Sequence, residues 1–432
     1  MNPTVKIPLW GAILINVNIV IGSAFFLHSQ KISSATGLLA PVAWLLCGLL
    51  LFPLIIVLAH LARTYPTAGG IYVYSQKQLG QFWGFVSGWG YFIGTIAANA
   101  AVLHAFSSEF QKLSVTQNFF ATTGLGGLWF DLVLVLIFTG LNLLNIEFLE
   151  RIQIGFTILK AIPLLLIVFA LPCLFNLENV TSAPIIWGGF AHTLPLVLFA
   201  YVGIEACCAV ADKIQDGQRN ASRVIFISFA LIMSIYALLQ FSLLCIHGTA
   251  AVDPFTSILP MLTSNQAVIT WGNGLINLAI LASFLAGFYG MFYFNNWNLY
   301  AMANDNSILF SQKLTTLNSH QVPWMCVMAQ SILIVVFLGI TSKTEYLSTM
   351  ADLGTIVAYL LSALAFLTLR KSMAGYCALG SCAVLMVICG KSLLESGLHL
   401  LIPFIIVLGI GLGAHYAHEM MKKNIKNLYF FI

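Results

Sequence analysis

Two ionisable side chains sit where an apolar setting makes them expensive. Glu205 closes the stretch Phe199-Ala-Tyr201-Val-Gly203-Ile-Glu205. A charge at the centre of a membrane helix costs about 2.5–3.5 kcal/mol on insertion scales. Lys160 sits within Phe156-Thr-Ile-Leu-Lys160-Ala-Ile-Pro163, nine residues beyond Arg151. That is roughly 13 Å along a helix, too deep for its stem to carry the ammonium easily to the interface. Glu205 reads either as a proton-sensitive latch between helices or as a carboxyl that only locks packing.

Two apolar stretches are interrupted by small residues, Gly22-Ser23-Ala24 in one and Tyr201-Val-Gly203-Ile204 in the other. A helix that starts at such a break presents unpaired N–H groups to a carboxylate, and one that ends there presents C=O groups to an ammonium. Glycine permits the dihedrals and the close approach that this requires. Alone, each break reads as small-residue helix packing. Their matching places, five spans apart, point instead to an inverted-repeat transporter with a site at the repeat interface.

The elements that must position these residues follow from composition. The 432 residues include 18 Lys plus Arg and 14 Asp plus Glu, 7% charged, against 60% hydrophobic. A soluble domain carries about 25% charged residues. This chain could not cover a water-facing surface, which excludes a cytosolic enzyme, a nucleic-acid binder and a disordered protein. Twelve apolar runs can be delimited: 8–27, 38–61, 82–106, 130–148, 152–171, 190–210, 224–246, 274–302, 323–340, 350–369, 376–390 and 398–415. The expected fold class is an all-α integral membrane protein with twelve transmembrane helices. The start, Met1 to Trp10, reads as the lead into the first span rather than as a signal peptide. The nine cysteines mostly sit in apolar runs as small apolar residues, and no structural disulfide is expected.

Basic residues set the orientation. With the N-terminus in the cytoplasm, thirteen Lys and Arg lie inside, among them Arg63, Lys213, Arg219, Arg223, Arg370, Lys422, Lys423 and Lys426. Lys31, Lys112, Lys343 and Lys391 lie outside, and Lys160 is within a span. Both termini are expected in the cytoplasm of a multi-pass protein of a bacterial inner membrane.

At these residues the chain resembles the amino acid–polyamine–organocation superfamily. Gly22-Ser23-Ala24-Phe25-Phe26 resembles its Gly-Ser-Gly-hydrophobic-Phe motif, with Ala24 for the second glycine. Pro66-Thr-Ala-Gly69-Gly70-Ile-Tyr72 and Gly84-Phe-Val-Ser-Gly88-Trp89 are similar to the stretches around its third helix. Arg219-Asn-Ala-Ser-Arg223 and Leu299-Tyr-Ala-Met-Ala-Asn-Asp305 resemble the loops after its sixth and eighth helices. The resemblance implies a LeuT-like fold: a five-plus-five inverted repeat with broken helices 1 and 6, followed by two C-terminal helices. The divisions are then 1–172 for the first repeat, 173–371 for the second and 372–432 for the last two helices and tail.

The resemblance also implies a secondary transporter of amino acids or related amines, working by alternating access. It would be independent of sodium, and proton-coupled or exchanging. A binding sensor without transport, or a polyamine exchanger, stands as the alternative. The implied substrate site comprises Ile21, Gly22, Ser23, Ala24, Phe25, Phe199, Ala200, Tyr201, Gly203, Ile204 and Met291, with Lys160 and Glu205 for coupling and gating. Related sodium-driven transporters hold a cation between helices 1, 5 and 8, and sodium-independent relatives place a lysine there. Lys160 would take that place, as a fixed structural cation or as one whose deprotonation couples protons to transport. The expected partners are the amino acid or amine, protons and the bilayer, with room for a homodimer. No cofactor, metal, nucleic acid or disulfide-linked heavy chain is expected. The nine histidines are dispersed, which speaks against a membrane enzyme. His104 reads as a satisfied core residue, and His415 with His418 as a solvated pair in the tail.

Overall fold

The computed structural model describes residues 6–124, 126–249, 253–341, 343–396 and 398–430; side chains are not described at 114–115, 395–401, 403 and 421–430. Met1 to Val5, and the side chains of Lys422, Lys423 and Lys426, therefore lie outside the described residues.

Among the described residues the chain is helical, with eighteen α-helices. The first nine are α1 (Leu9–Val20), α2 (Ser23–Thr36), α3 (Ala40–Thr64), α4 (Gly70–Leu79), α5 (Gln81–Lys112), α6 (Ser114–Thr123), α7 (Leu128–Asn142), α8 (Ile146–Leu174) and α9 (Leu177–Thr181). The remainder are α10 (Phe190–Tyr201), α11 (Gly217–His247), α12 (Ile258–Leu262), α13 (Gln266–Asn304), α14 (Ser311–Leu314), α15 (Trp324–Ile340), α16 (Thr344–Leu369), α17 (Met373–Ser396) and α18 (Leu398–Phe430). Seven are long and apolar enough to cross a membrane, or nine spans if each of two bent pairs counts as one. The pairs are α1 with α2, bent by 47°, and the end of α6 with α7, bent by 113°.

Burial separates an inner group from an outer one. The most apolar windows of α5, α13 and α16 are 83%, 72% and 72% buried, whereas those of α8 and α17 are 22% and 28% buried. The outer helices turn residues such as Ile158, Phe169 and Val387 outward, as suits contact with lipid. Helix α8 buries a single stripe, Ile146, Leu149, Gln153, Lys160, Pro163, Ile167 and Ala170. Steps of three, four and seven keep these residues on one face of a helix. Lys160 is therefore carried inward by the narrow buried face of a mostly outward-facing helix.

Two of the runs that read as continuous in the sequence are interrupted. The run from Phe130 to Phe148 is cut, because α7 ends at Asn142 and Ile146 to Phe148 already belong to α8. The Asn145 side chain accepts from the Phe148 N–H at 3.1 Å, which starts a new helix inside the apolar run. The sixth run does not resume as an α-helix. Beyond Tyr201 it continues in two 3₁₀ turns, Ala206–Ala209 and Ala211–Lys213. There the Ala209 carbonyl accepts from the Gly69 N–H at 3.1 Å, so the Gly69-Gly70 stretch is pinned to this segment. Close by, Ile7 pairs with Ile214 as a parallel bridge. The Ile7 N–H donates to Lys213 O and the Gln215 N–H to Ile7 O, both at 2.9 Å.

Candidate functional site

The first break falls at Ile21 and Gly22. Ile21 (φ −74°, ψ 67°) ends α1, and Gly22 (φ −101°, ψ −135°) precedes α2. A side chain here would crowd the end of α1 more than α13. A Cβ on Gly22 would lie 3.2 Å from Ile19 O and 3.7 Å from the Cα of Gly287. The first-turn N–H groups of α2, beginning at Ser23, have no acceptor within their own helix.

The carbonyls at the end of α1 are held by side chains from three other helices. The Lys160 ammonium donates to Asn18 O at 2.6 Å and to Ile21 O at 2.5 Å. The Ser283 hydroxyl donates to Ile21 O at 3.1 Å. The Tyr236 hydroxyl reaches Val20 O at 2.8 Å and Ala200 O at 3.1 Å, joining the first break to the second. Gln153 on α8 hydrogen-bonds the Asn18 amide and donates to Ala286 O at 2.9 Å. A cation at a helix C-terminus meets the negative end of the macrodipole. This ammonium is buried, with its side chain only 3% exposed. The geometry explains how the chain tolerates it: carbonyl oxygens without other helical partners surround it.

The second break is built on Gly203, whose φ of +103° is poorly tolerated by a residue with a side chain. A Cβ there would also meet Ile19 and Met291 at 3.1 Å. Two residues on, Glu205 is 1% exposed and accepts from the Tyr359 hydroxyl of α16 at 2.5 Å through Oε2. Its Oε1 has no hydrogen-bond partner. The Ile204 carbonyl accepts from the Asn16 side chain at 2.8 Å, so each break is tied to the other.

A cavity lies between the breaks, with about 40 Å³ in which the centre of a water-sized sphere can sit. One such sphere needs about 10–15 Å³ on this measure. Of the residues singled out in the sequence, Gly22, Ser23, Ala24, Phe199 and Met291 line it. The others do not. Ile21 serves Lys160 through its carbonyl, and Ala200 serves Tyr236. Phe25 stacks on Tyr236 and packs against Trp44. Tyr201 points away and donates to Trp44 O at 3.1 Å. The carbonyls of Tyr201 and Gly203 already accept from the N–H groups of Ile204 and Ala206. Ile19 and Val20 of α1 and Ala98, Asn99 and Val102 of α5, with Val202 and Gly287, complete the wall. Asn99 was the detectable one, a lone amide inside an apolar span, 1% exposed and with its Nδ2 unpartnered.

The whole arrangement can now be set beside known proteins. The amino acid permease family model matches residues 7–414. The chain belongs to the amino acid permease family. The permease is 25% identical over 382 residues to the serine/threonine exchanger SteT of Bacillus subtilis, covering 86% of this chain and 84% of the relative. It is 28% identical over 370 residues to the L-lysine transport protein of Corynebacterium glutamicum, covering 79% and 70%. It is 24% identical over 388 residues to the arginine/ornithine antiporter of Latilactobacillus sakei, covering 84% and 78%. The permease is thus a multi-pass membrane protein of a transporter family and not an enzyme. Its motif residues form structural ties of their own. Tyr72 donates to the Asp305 carboxylate at 3.0 Å, binding the stretch before α5 to the end of α13. Two histidines have partners that the sequence did not reveal. His104 pairs with Asp131 at 2.7 Å. His415 is not solvated: it is 3% exposed, and its Nδ1 is 2.7 Å from Ser307 O.

Proposed function

We propose that the permease moves small uncharged amino acids by alternating access, without sodium. Their carboxylate would meet the first-turn N–H groups of α2 at Ser23 and Ala24. Their ammonium would meet a carbonyl at the end of α1 other than those of Asn18, Val20 and Ile21, and their side chain would face Phe199, Asn99 and Met291. The reading takes the twelve apolar runs as twelve spans, with a five-plus-five inverted repeat meeting at the two breaks and both termini in the cytoplasm. The observation that carries it is the Lys160 ammonium on the carbonyls of Asn18 and Ile21. It already supplies the positive charge that a metal ion would bring to that helix end, which removes the need for sodium.

Two features support the substrate class. No charged side chain lines the cavity, so a lysine- or arginine-like side chain would find no carboxylate partner there. The small free volume and the Ala24 methyl group also favour a short side chain. The relative named as a serine/threonine exchanger fits this class, while the relatives named for lysine, arginine and ornithine do not.

Uptake of labelled serine, threonine, alanine, lysine and arginine into proteoliposomes tests the proposal, with and without sodium and with and without internal counter-substrate. Serine or alanine should enter at equal rates in both salts, and faster when the vesicles are preloaded if the cycle is exchange. Uptake that requires sodium overturns the role given to Lys160. Uptake confined to lysine or arginine overturns the substrate class.

A further inference from the structure

Away from the cavity, four arginines converge where α3, α11 and α16 end or begin. Arg63 is in the last turn of α3, Arg219 and Arg223 are in the first two turns of α11, and Arg370 follows α16. All four are exposed. Arg63, Arg219 and Arg223 border a hollow of about 680 Å³. Arg63 and Ser222 also border a second hollow of about 370 Å³, which includes Arg370 and His60. The two hollows are neighbours that meet at Arg63 and Ser222, and we treat them together as one groove. Asp216 is the one acid on its walls. Among the described residues, no ion pair involves any of the four arginines.

We propose that this groove binds the phosphate of an anionic phospholipid headgroup. Four like charges in one groove repel one another, and an anion among them relieves that repulsion. Arg219 also opposes the positive end of the α11 macrodipole, where the N-cap Asp216 is the one nearby acid. Guanidinium groups suit phosphate because each can give two parallel N–H bonds. The second hollow identifies the source of the phosphate. Its walls include Ile56, Phe226 and Phe366, so the groove passes from a charged mouth to apolar side chains on the membrane-spanning helices. Free phosphate would use only the mouth, whereas a phospholipid would use both parts. Basic pockets between spans at the membrane surface are suited to such headgroups. The inference rests on the transport reading only for which leaflet supplies the lipid.

The test uses the full-length permease in nanodiscs, where both leaflets have the same composition and no transport is measured. Failure here is therefore distinct from failure of the transport proposal. Native mass spectrometry would count phosphatidylglycerol and phosphatidylcholine molecules retained after release from mixed nanodiscs. The wild type should retain phosphatidylglycerol at least tenfold over phosphatidylcholine. The combined Arg63→Gln, Arg219→Gln and Arg223→Gln variant should lose that preference, while Lys77→Gln with Lys313→Gln, on other helices, should keep it. If the triple variant does not fold, Arg219→Gln and Arg223→Gln made singly should each lower the preference several-fold. Equal retention by the variants and the wild type overturns the site. Displacement of the lipid by inorganic phosphate, with phosphate bound as tightly as phosphatidylglycerol, assigns the groove to a free anion and overturns the lipid.

Discussion

The two breaks solve opposite problems. At the first, helix α1 ends in carbonyls, and the molecule brings a cation to them: Lys160 from α8, with hydroxyls from Ser283 and Tyr236 beside it. At the second, the chain brings an acid, Glu205, and the molecule meets it with the Tyr359 hydroxyl while leaving one carboxyl oxygen unpartnered. The first break gathers donors from three helices onto its carbonyls, and the second gives its acid the Tyr359 hydroxyl with the Tyr91 hydroxyl beside it. Each also keeps buried oxygens without a partner, Oδ1 of Asn16 and Asn18 at the first and Oε1 of Glu205 at the second. We expect the first break, tied to more helices, to hold its shape through the cycle while the second rearranges.

The largest expected effect comes from removing the cation. Lys160→Ala leaves the carbonyls of Asn18 and Ile21 without their ammonium, and each buried polar group left unpaired costs about 1–3 kcal/mol. Uptake should fall by more than a hundredfold and by more than substrate affinity does. Lys160→Met keeps the stem and removes the charge. If it transports fully and with the wild-type pH profile, the charge has no coupling role.

Next is the cradle itself. Ser23→Leu places a branched side chain in a cavity with little free volume and should abolish substrate binding in a protein that still folds. Unchanged affinity by calorimetry would take α2 out of the site.

At the second break, Tyr359→Phe removes one hydrogen bond to a carboxyl group, worth about 1.5–3 kcal/mol if the carboxyl is ionised. Transport should fall roughly tenfold with little change in affinity. A fall in affinity with no change in turnover would show that this break is as fixed as the first.

Gly203→Ala forces a side chain onto a backbone at φ +103°. It should cost about 1–2 kcal/mol, read as a lowered melting temperature, and more if Ile19 and Met291 cannot yield.

A last expected effect concerns Lys213, just beyond the second break, whose ammonium lies 3.2 Å from the centre of the Trp297 ring. Burial lowers its pKa from 10.5 to about 8, against an opposing pull from Asp212. The unfolded chain therefore binds this proton more readily between about pH 8 and 10.5, so stability should rise with pH across that window. Lys213→Met should abolish that rise in melting curves.

The sequence announced the expensive residues and the two breaks because cost and spacing are visible in one dimension. Lys160, Glu205 and the Gly22 and Gly203 interruptions needed only an apolar background to stand out. Partners from distant helices left no such trace. Tyr236, Ser283, Gln153 and Tyr359 are ordinary polar residues in helical runs, and only packing brings them to the breaks. The cut between α7 and α8 was hidden because apolar residues continue through a helix cap set by Asn145 alone. The direction in which Tyr201 and Phe25 point was also hidden, because both sit on the broken spans but turn toward Trp44, away from the cavity.

The parallel bridge between Ile7 and Ile214 has a mechanical meaning. It fastens the entrance to the first broken helix onto the segment that leaves the second, by two backbone hydrogen bonds that do not depend on side-chain identity. Two pivots fastened together at one end lose their independence. At that face, tilting one broken helix without the other would first have to break these two hydrogen bonds.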